Sequence, residues 1–282
     1  MRVLIHGLCC LLMVASHGRD TINWYEADFP PAHIERGRLA GQGYSDMLLK
    51  RHIEPALSGF SHQHTLAPVS RFLHDAGSNP NVCSAQISRT AERERTLLFS
   101  QPTLTFLPTG LIVREEDIGH LVGLLDGHGR ISLLAYLKQT RSTIGVVSSR
   151  AYGPQIDPML AGAGSRVVPV SASGASINLL RMLVVGGRID ATLGYSFEPV
   201  FSSQEHPEIT GRLAWLPISE QPDTLTSHIA CSRSATGQAV ISEVNKLLVQ
   251  RDSAEQIQGY YEQWLDPASR ERIRALRNRG GN

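Results

Sequence analysis

Short β-rich apolar runs alternate with helix-patterned segments from residue 21 to about residue 264, which predicts an α/β fold. Residues 21–25 read as a first strand, and the Phe29-Pro30-Pro31 turn follows. Gly41-Gln42-Gly43 opens a helix over about 44–53. Residues 61–66 are strand-like, 68–76 helical and 82–88 a strand, and 104–114 is extended with Leu111, Ile112 and Val113 buried. A second set of elements starts near Ile118. It holds a helix through 133–137, a buried strand over 143–147 and another over 167–170. Ser173 is positioned to cap a helix that runs to about 185, where Gly186-Gly187 ends it. Residues 189–193 form a strand, and the apolar pattern returns at 214–217 and 228–232. Two amphipathic helices, 238–250 and 254–264, follow. The basic stretch 270–279 reads as a solvated helix end that frays at Gly280-Gly281. The sequence carries no internal repeat and no long low-complexity linker.

The first twenty residues have a different pattern. Arg2 precedes an apolar stretch over about 3–15, and small residues follow it. That is the layout of a secretory leader over 1–18, too short in its apolar part to span a bilayer, which takes about 20 residues. Neither Cys9 nor Cys10 follows the kind of run that precedes a lipid-modified cysteine. Export to the periplasm is the expectation, and it bears on the two remaining cysteines, Cys83 and Cys231. In an oxidising compartment they can pair; left unpaired they are small buried apolar residues.

The chain has 282 residues, 41% of them hydrophobic, enough for one or two substantial cores. Its 27 lysines and arginines balance 26 aspartates and glutamates, so no broad field draws in nucleic acid or anionic lipid. A charged ligand has to be caught by local groups.

The most specific stretch is Ser88-Arg89-Thr90-Ala91-Glu92-Arg93, followed by Phe99-Ser100-Gln101-Pro102. It resembles the Thr-x-Glu-Arg … Phe-Ser-x-Pro signature of type 2 periplasmic solute-binding proteins, in their amino-acid-binding branch (extracellular solute-binding protein family 3). Phe29-Pro30-Pro31 is similar to that family's aromatic–x–proline segment. Gly187-Arg188-Ile189-Asp190-Ala191 is similar to its Gly-Arg-Val-Asp-Ala run, and residues 144–149 to its second-lobe strand and ligand turn. The motifs fall in the family's order and cover nearly all of residues 21–265.

The resemblance implies two lobes, each a mixed β-sheet flanked by helices, joined by two hinge crossings near 105–109 and 222–227. Lobe 1 is expected over 19–104 and again over 228–265, lobe 2 over 105–227, and a basic tail over 266–282. It implies a carboxylate-binding role for Arg93, whose guanidinium is a permanent, planar fork of donors. Thr90 is a candidate N-cap that places Arg93 in the first turn of a helix. Ser88 is implied as a hydroxyl donor and Gln86 as a backbone acceptor. Glu26 and Phe29 are implied as a polar contact and an aromatic wall, with Trp24 and Tyr25 as alternative walls. Ser148, Ser149 and Arg150 would complete the site from lobe 2. One departure matters: the family's aspartate after the Gly-Arg-x-Asp-Ala strand is replaced by Gly194-Tyr195. Either Glu26 substitutes as the ammonium's counter-charge, or the ligand is a carboxylate without an α-ammonium or a larger molecule that stacks on Tyr195.

Other signals carry less. Gly41-Gln42-Gly43 lacks the third glycine and the following acid of a dinucleotide loop. His62 and His64, with His74 nearby, have no carboxylate motif beside them and read as ordinary histidines, so no metal and no cofactor is expected. No Gly-x-Ser-x-Gly elbow is present. The expected protein is a monomeric, non-catalytic binder of a small carboxylate or amino-acid-like molecule, serving an ABC permease. The alternatives are a periplasmic sensor without transport and a same-fold dehydratase or peptidoglycan lyase, for which Glu26 is the one nameable acid.

Overall fold

The computed structural model describes residues 19–148, 150–171 and 174–280. The expected leader, Ser149 and Ser173 lie outside the described residues.

Two five-stranded sheets form two lobes. The first contains β1 (Thr21–Glu26), β2 (Ser61–Leu66), β3 (Val82–Ile87), β4 (Leu97–Phe106) and β10 (Leu225–Ser232) in the order β2-β1-β3-β10-β4. The second contains β5 (Gly110–Arg114), β6 (Ile144–Val147), β7 (Val167–Val170), β8 (Ala191–Gly194) and β9 (Leu213–Leu216) in the order β7-β6-β8-β5-β9. In each sheet three strands are parallel: β1 with β2 and β3, and β6 with β7 and β8. β10 and β5 then run antiparallel to their neighbours.

Helices cover both sheets. Lobe 1 carries α1 (Tyr44–Leu48), continued through a π turn at Leu49–Ile53 into α2 (Glu54–Ala56), and α3 (Val69–Asp75). Lobe 2 carries α4 (Ile118–Leu121), α5 (Leu133–Gln139), α6 (Ile156–Ala163), α7 (Ala175–Val184) and α8 (Phe197–Ser203). The chain closes with α9 (Ala235–Leu248), α10 (Arg251–Glu262) and α11 (Pro267–Gly280). Local chemistry sets several starts. The Ser132 and Ser234 hydroxyls accept the N–H groups of Ala135 and Gly237, satisfying first-turn donors of α5 and α9. Among the described residues no helix is long and apolar enough to cross a membrane.

Lobe 1 packs Ile22 and Trp24 against Leu48, Ile53, Val240 and Val244, with Cys83 and Cys231 joined as a disulfide at its centre. Those two cysteines face each other in the β3–β10 register. Lobe 2 has its own core around Leu111, Ile144, Leu133 and Ile156. A third cluster joins Tyr44 of lobe 1, Phe197 and Leu180 of lobe 2, and Tyr261, Trp264 and Ile273 of the closing helices.

The chain crosses between lobes at 107–109, between β4 and β5, and at 217–224, between β9 and β10. The first crossing is clamped: Tyr261 accepts the Leu107 N–H at 3.0 Å, and Gln258 both accepts from and donates to the Thr105 backbone. Two expectations change. The extended stretch expected at 104–114 is two strands, and the first begins at Leu97, so Phe99-Ser100-Gln101-Pro102 lies within β4. The basic segment expected as a solvated helix end is a packed helix, α11, from Pro267 to Gly280. Its apolar stripe explains why: Ile273 is fully buried and Leu276 packs beside it, while Arg274 and Arg277 reach the buried carboxylate of Glu262.

Candidate functional site

Parallel pairing puts the expected ligand residues on two edges. β1 and β3 pair Asn23 with Val82 and Trp24 with Cys83, so their carboxyl ends emerge side by side. Glu26 and Phe29 leave one end, and Ser88 and Arg93 the other. β6 and β8 pair Ile144 with Ala191 and Gly145 with Thr192, which brings Val147 level with Gly194. Ser148 and Arg150 follow the first, and Tyr195 the second. Crevices outside the carboxyl ends of parallel strands are where open α/β sheets bind ligands.

The two edges face each other. The Arg150 guanidinium of lobe 2 lies 5.9 Å from the ring centre of Phe29 in lobe 1 and 5.7 Å from that of Tyr195. Tyr152 is a third ring, at 6.0 Å. Phe29 meets Tyr195 and Phe197 edge-on at 5.8 and 6.0 Å, and Tyr195 stacks on Phe197 at 5.1 Å. Such contacts favour a cation over aromatic faces and hold the rings in set orientations. Arg150 Nη1 also donates to Glu198 Oε1 at 2.8 Å, and Nη2 to Ser176 Oγ at 3.1 Å. Burial works against the Arg150 charge, but the Glu198 carboxylate outweighs it and raises the pKa. Burial pushes the Tyr195 hydroxyl up, so it stays protonated.

Glu198 answers the missing aspartate. It sits in the first turn of α8, and its Oε1 accepts the Tyr195 N–H at 3.1 Å, so a carboxylate stands at the end of β8 after all. Gly194 makes room for it. A β-carbon there would come within 2.8 Å of Ile112 Cδ1 and 3.0 Å of Glu198 Oε2.

On the opposite edge, Arg93 occupies a single 3₁₀ turn, Arg93–Arg95, in place of the expected helix. The reason is length: β4 begins at Leu97 and leaves space for only one turn. Thr90 Oγ1 accepts the Arg93 N–H at 3.3 Å, and Arg93 Nη1 donates to the Ser88 carbonyl at 2.8 Å. Neighbouring Arg89 takes Glu94 as its partner. Among the described residues Arg93 has no acidic partner, although it is half-buried. Ser88 and Ser148 are exposed, and the Ser148 N–H donates to the Val170 carbonyl at 3.1 Å. Gln86 lies on β3, three residues beyond Cys83.

Trp24 and Tyr25 are not walls of the crevice. Trp24 is fully buried in the lobe 1 core, and the Tyr25 hydroxyl donates to Asp75 at 2.7 Å. Glu26 is buried too, and its surroundings were not visible in the sequence. His64 Nδ1 lies 2.8 Å from Glu26 Oε2, and His33 Nδ1 lies 3.4 Å from Glu26 Oε1 and 2.5 Å from Asp46 Oδ1. The hydrogen bond to Asp46 raises the His33 pKa to about 8 against the opposing effect of burial, with the Glu26 charge assisting. Burial pushes the Asp46 carboxyl up, but the His33 hydrogen bond and the N–H groups of Ile34 and Gly43 bring it below its ordinary value. His62 does not join them: its Nδ1 accepts from Trp24 Nε1 at 3.0 Å. Sequence reading missed Tyr152, Ser176, Phe197, Glu198, His33 and Asp46. The one available signal was an acid three residues beyond Tyr195, one helical turn away.

No protein-family model matches the sequence, and no curated protein matches it. Solved structures do match in fold. An extracellular-binding protein of a probable amino-acid ABC transporter from Bacillus subtilis is 17% identical, with a TM-score of 0.63 over 88% of this chain and 99% of that one. An ancestral arginine-binding protein bound to arginine is 19% identical, with a TM-score of 0.59 over 89% of this chain and 100% of that one. A histidine kinase sensor domain similar to periplasmic binding proteins is 16% identical, with a TM-score of 0.57 over 88% and 98% of the two chains. The fold is the two-lobed fold of type 2 periplasmic binding proteins.

Proposed function

We propose that this chain is an exported solute-binding protein that captures a small, carboxylate-bearing, amino-acid-like molecule between its lobes and presents it to an ABC permease. The reading rests above all on one observation: Arg150 of lobe 2 packs on Phe29 of lobe 1, where the carboxyl ends of both parallel strand sets converge. A ligand that bridges these edges adds contacts only in the shut form and draws the lobes together.

Roles follow from what each group already has. Among the described residues Arg93 has no acidic partner, and it offers its fork to a carboxylate, with the exposed Ser88 on its own edge and the exposed Ser148 on the edge of lobe 2. Phe29 and Tyr195 supply ring faces. Glu26 and Glu198 are both engaged by cationic or imidazole groups, so recognition weighs the ligand's carboxylate above its ammonium. Capture of this kind needs no covalent step and no turnover.

The test is thermal unfolding across a panel of amino acids, simple carboxylates and short peptides. A ligand at one hundred times its Kd stabilises by about 2.7 kcal/mol, which for a chain of this size raises the Tm by about 5–10 °C. A flat response over the whole panel at millimolar concentration counts against the reading.

A further inference from the structure

The cluster around Glu26 is a second centre, and it is arranged as metal sites are. Glu26, His33 and Asp46 come from the end of β1, from the loop after it and from α1; all three are buried, and one donor atom from each falls within 4.8 Å of the others. Donors about 2.1 Å from a tetrahedral cation lie about 3.4 Å apart. His33 Nδ1 to Glu26 Oε1 is 3.4 Å, and His33 Nδ1 to Asp46 Oδ1 is 2.5 Å. Of these two pairs a cation has to part the second, by roughly 1 Å, while the Glu26 and Asp46 donors lie within 4.8 Å of each other.

The outer partners are independent support. A metal-bound histidine donates its other ring N–H to a carboxylate, and bound carboxylates are themselves hydrogen-bonded. Here His33 Nε2 lies 3.4 Å from Glu35 Oε2. The second oxygen of Glu26 meets His64 at 2.8 Å, and the second oxygen of Asp46 accepts the N–H groups of Gly43 at 2.9 Å and Ile34 at 3.2 Å. The inward atoms of the three groups face one another, and the second atom of each is held by an outer partner. A cavity of about 270 Å³ opens onto Glu26, His33, Asp46 and His64, which gives an entry path and a fourth position for water. Lys50 lines it too, with its ammonium turned to the Gly41 carbonyl at 3.4 Å.

We propose that Glu26, His33 and Asp46 bind a divalent transition cation of the zinc class, with Glu35 and His64 orienting the inner ligands. One imidazole with carboxylates suits zinc, and the single nitrogen distinguishes the site from the all-oxygen cages of calcium and magnesium. Binding displaces the proton shared between His33 and Asp46, so uptake releases a proton to buffer.

The experiment uses the mature chain, stripped with chelator, and Zn²⁺ alone, so its failure leaves the solute-binding reading intact. Calorimetry in two buffers of different ionisation enthalpy is expected to give one Zn²⁺ per chain with proton release. Mg²⁺ and Ca²⁺ should leave the Tm unchanged. H33Q and E26Q should weaken uptake at least 100-fold, and H64Q about 10-fold, while H120A, at an exposed histidine of α4 in lobe 2, keeps the native affinity. Asp46 also supports the start of α1, so D46N is avoided. Circular dichroism checks that the metal-free variants fold. Should they misfold, the visible spectrum of the Co²⁺-loaded native chain reads the nitrogen and oxygen ligands directly. Substoichiometric uptake, native affinity in both H33Q and E26Q, or a Co²⁺ spectrum identical to hexaaqua cobalt overturns the proposal.

Discussion

Arg150 and Glu198 form an ion pair inside lobe 2, Nη1 to Oε1 at 2.8 Å, with side chains only 18% and 8% exposed. The pair ties the turn after β6 to the first turn of α8, and the guanidinium it holds lies 5.9 Å from the ring centre of Phe29 in the other lobe. A buried pair of this kind gives position more than net stability.

Removing one partner shows the difference. E198Q leaves the Arg150 charge buried without its counter-ion, and the variant should lose about 2–4 kcal/mol of stability. Urea unfolding followed by circular dichroism measures it. R150M/E198Q, which removes both charges, should recover a substantial part of that loss.

The disulfide between Cys83 and Cys231 closes a loop with a sequence separation of 148, and all of lobe 2 lies within it. Loop entropy of that length corresponds to about 3–5 kcal/mol. C83A/C231A should unfold at a lower denaturant midpoint than the oxidised chain, and added reductant should lower the native midpoint toward the variant's. Equal midpoints with and without reductant would show that the cross-link contributes nothing.

His228 sits buried between β10 and β4, with Nδ1 against the Ser100 carbonyl at 2.9 Å, and burial lowers its pKa below 6.5. The unfolded chain binds the proton first, so stability falls as pH drops from 6.5 toward the folded value. His33, raised to about 8, is protonated in the folded chain throughout this window, while its unfolded form finishes protonating there, so it adds a small gain on acidification that opposes the His228 loss. In chelator-treated protein, H228N should flatten the fall in Tm between pH 6.5 and 5.5. A native slope retained in the variant assigns the loss to other groups.

The last helix matters to the fold. Ile273 is fully buried in the cluster that both lobes share with Tyr261 and Trp264. I273A should cost about 2–4 kcal/mol by leaving a cavity, measurable as a lowered urea midpoint. A solvated tail would show no change.

The lobes were legible because each strand is short, apolar and bounded by turn residues, and because Phe29, Arg93 and the Gly187–Ala191 run hold their family spacing. Arg150 and Tyr195 were legible for the same reason, since both follow directly from strand ends. Glu198 was not, because its carboxylate returns to β8 only through the pitch of α8. His33, Asp46 and His64 lie on three different segments: the pairing of β1 with β2 sets His64 beside Glu26, and the Tyr44 and Ser45 N–H groups, bonded to the Pro31 and Ala32 carbonyls, set Asp46 beside His33. α11 was misread because its many arginines mask an apolar stripe, Ile273 and Leu276, that repeats once per turn.

The most direct measurement is calorimetric titration of the ligand identified by thermal screening into the native chain, R93A and F29A. Capture between the lobes predicts that R93A weakens a carboxylate ligand by at least 30-fold, about 2 kcal/mol or more, and that F29A weakens it about 10-fold with both variants still folded. Native affinity in both would place the ligand elsewhere and contradict the account.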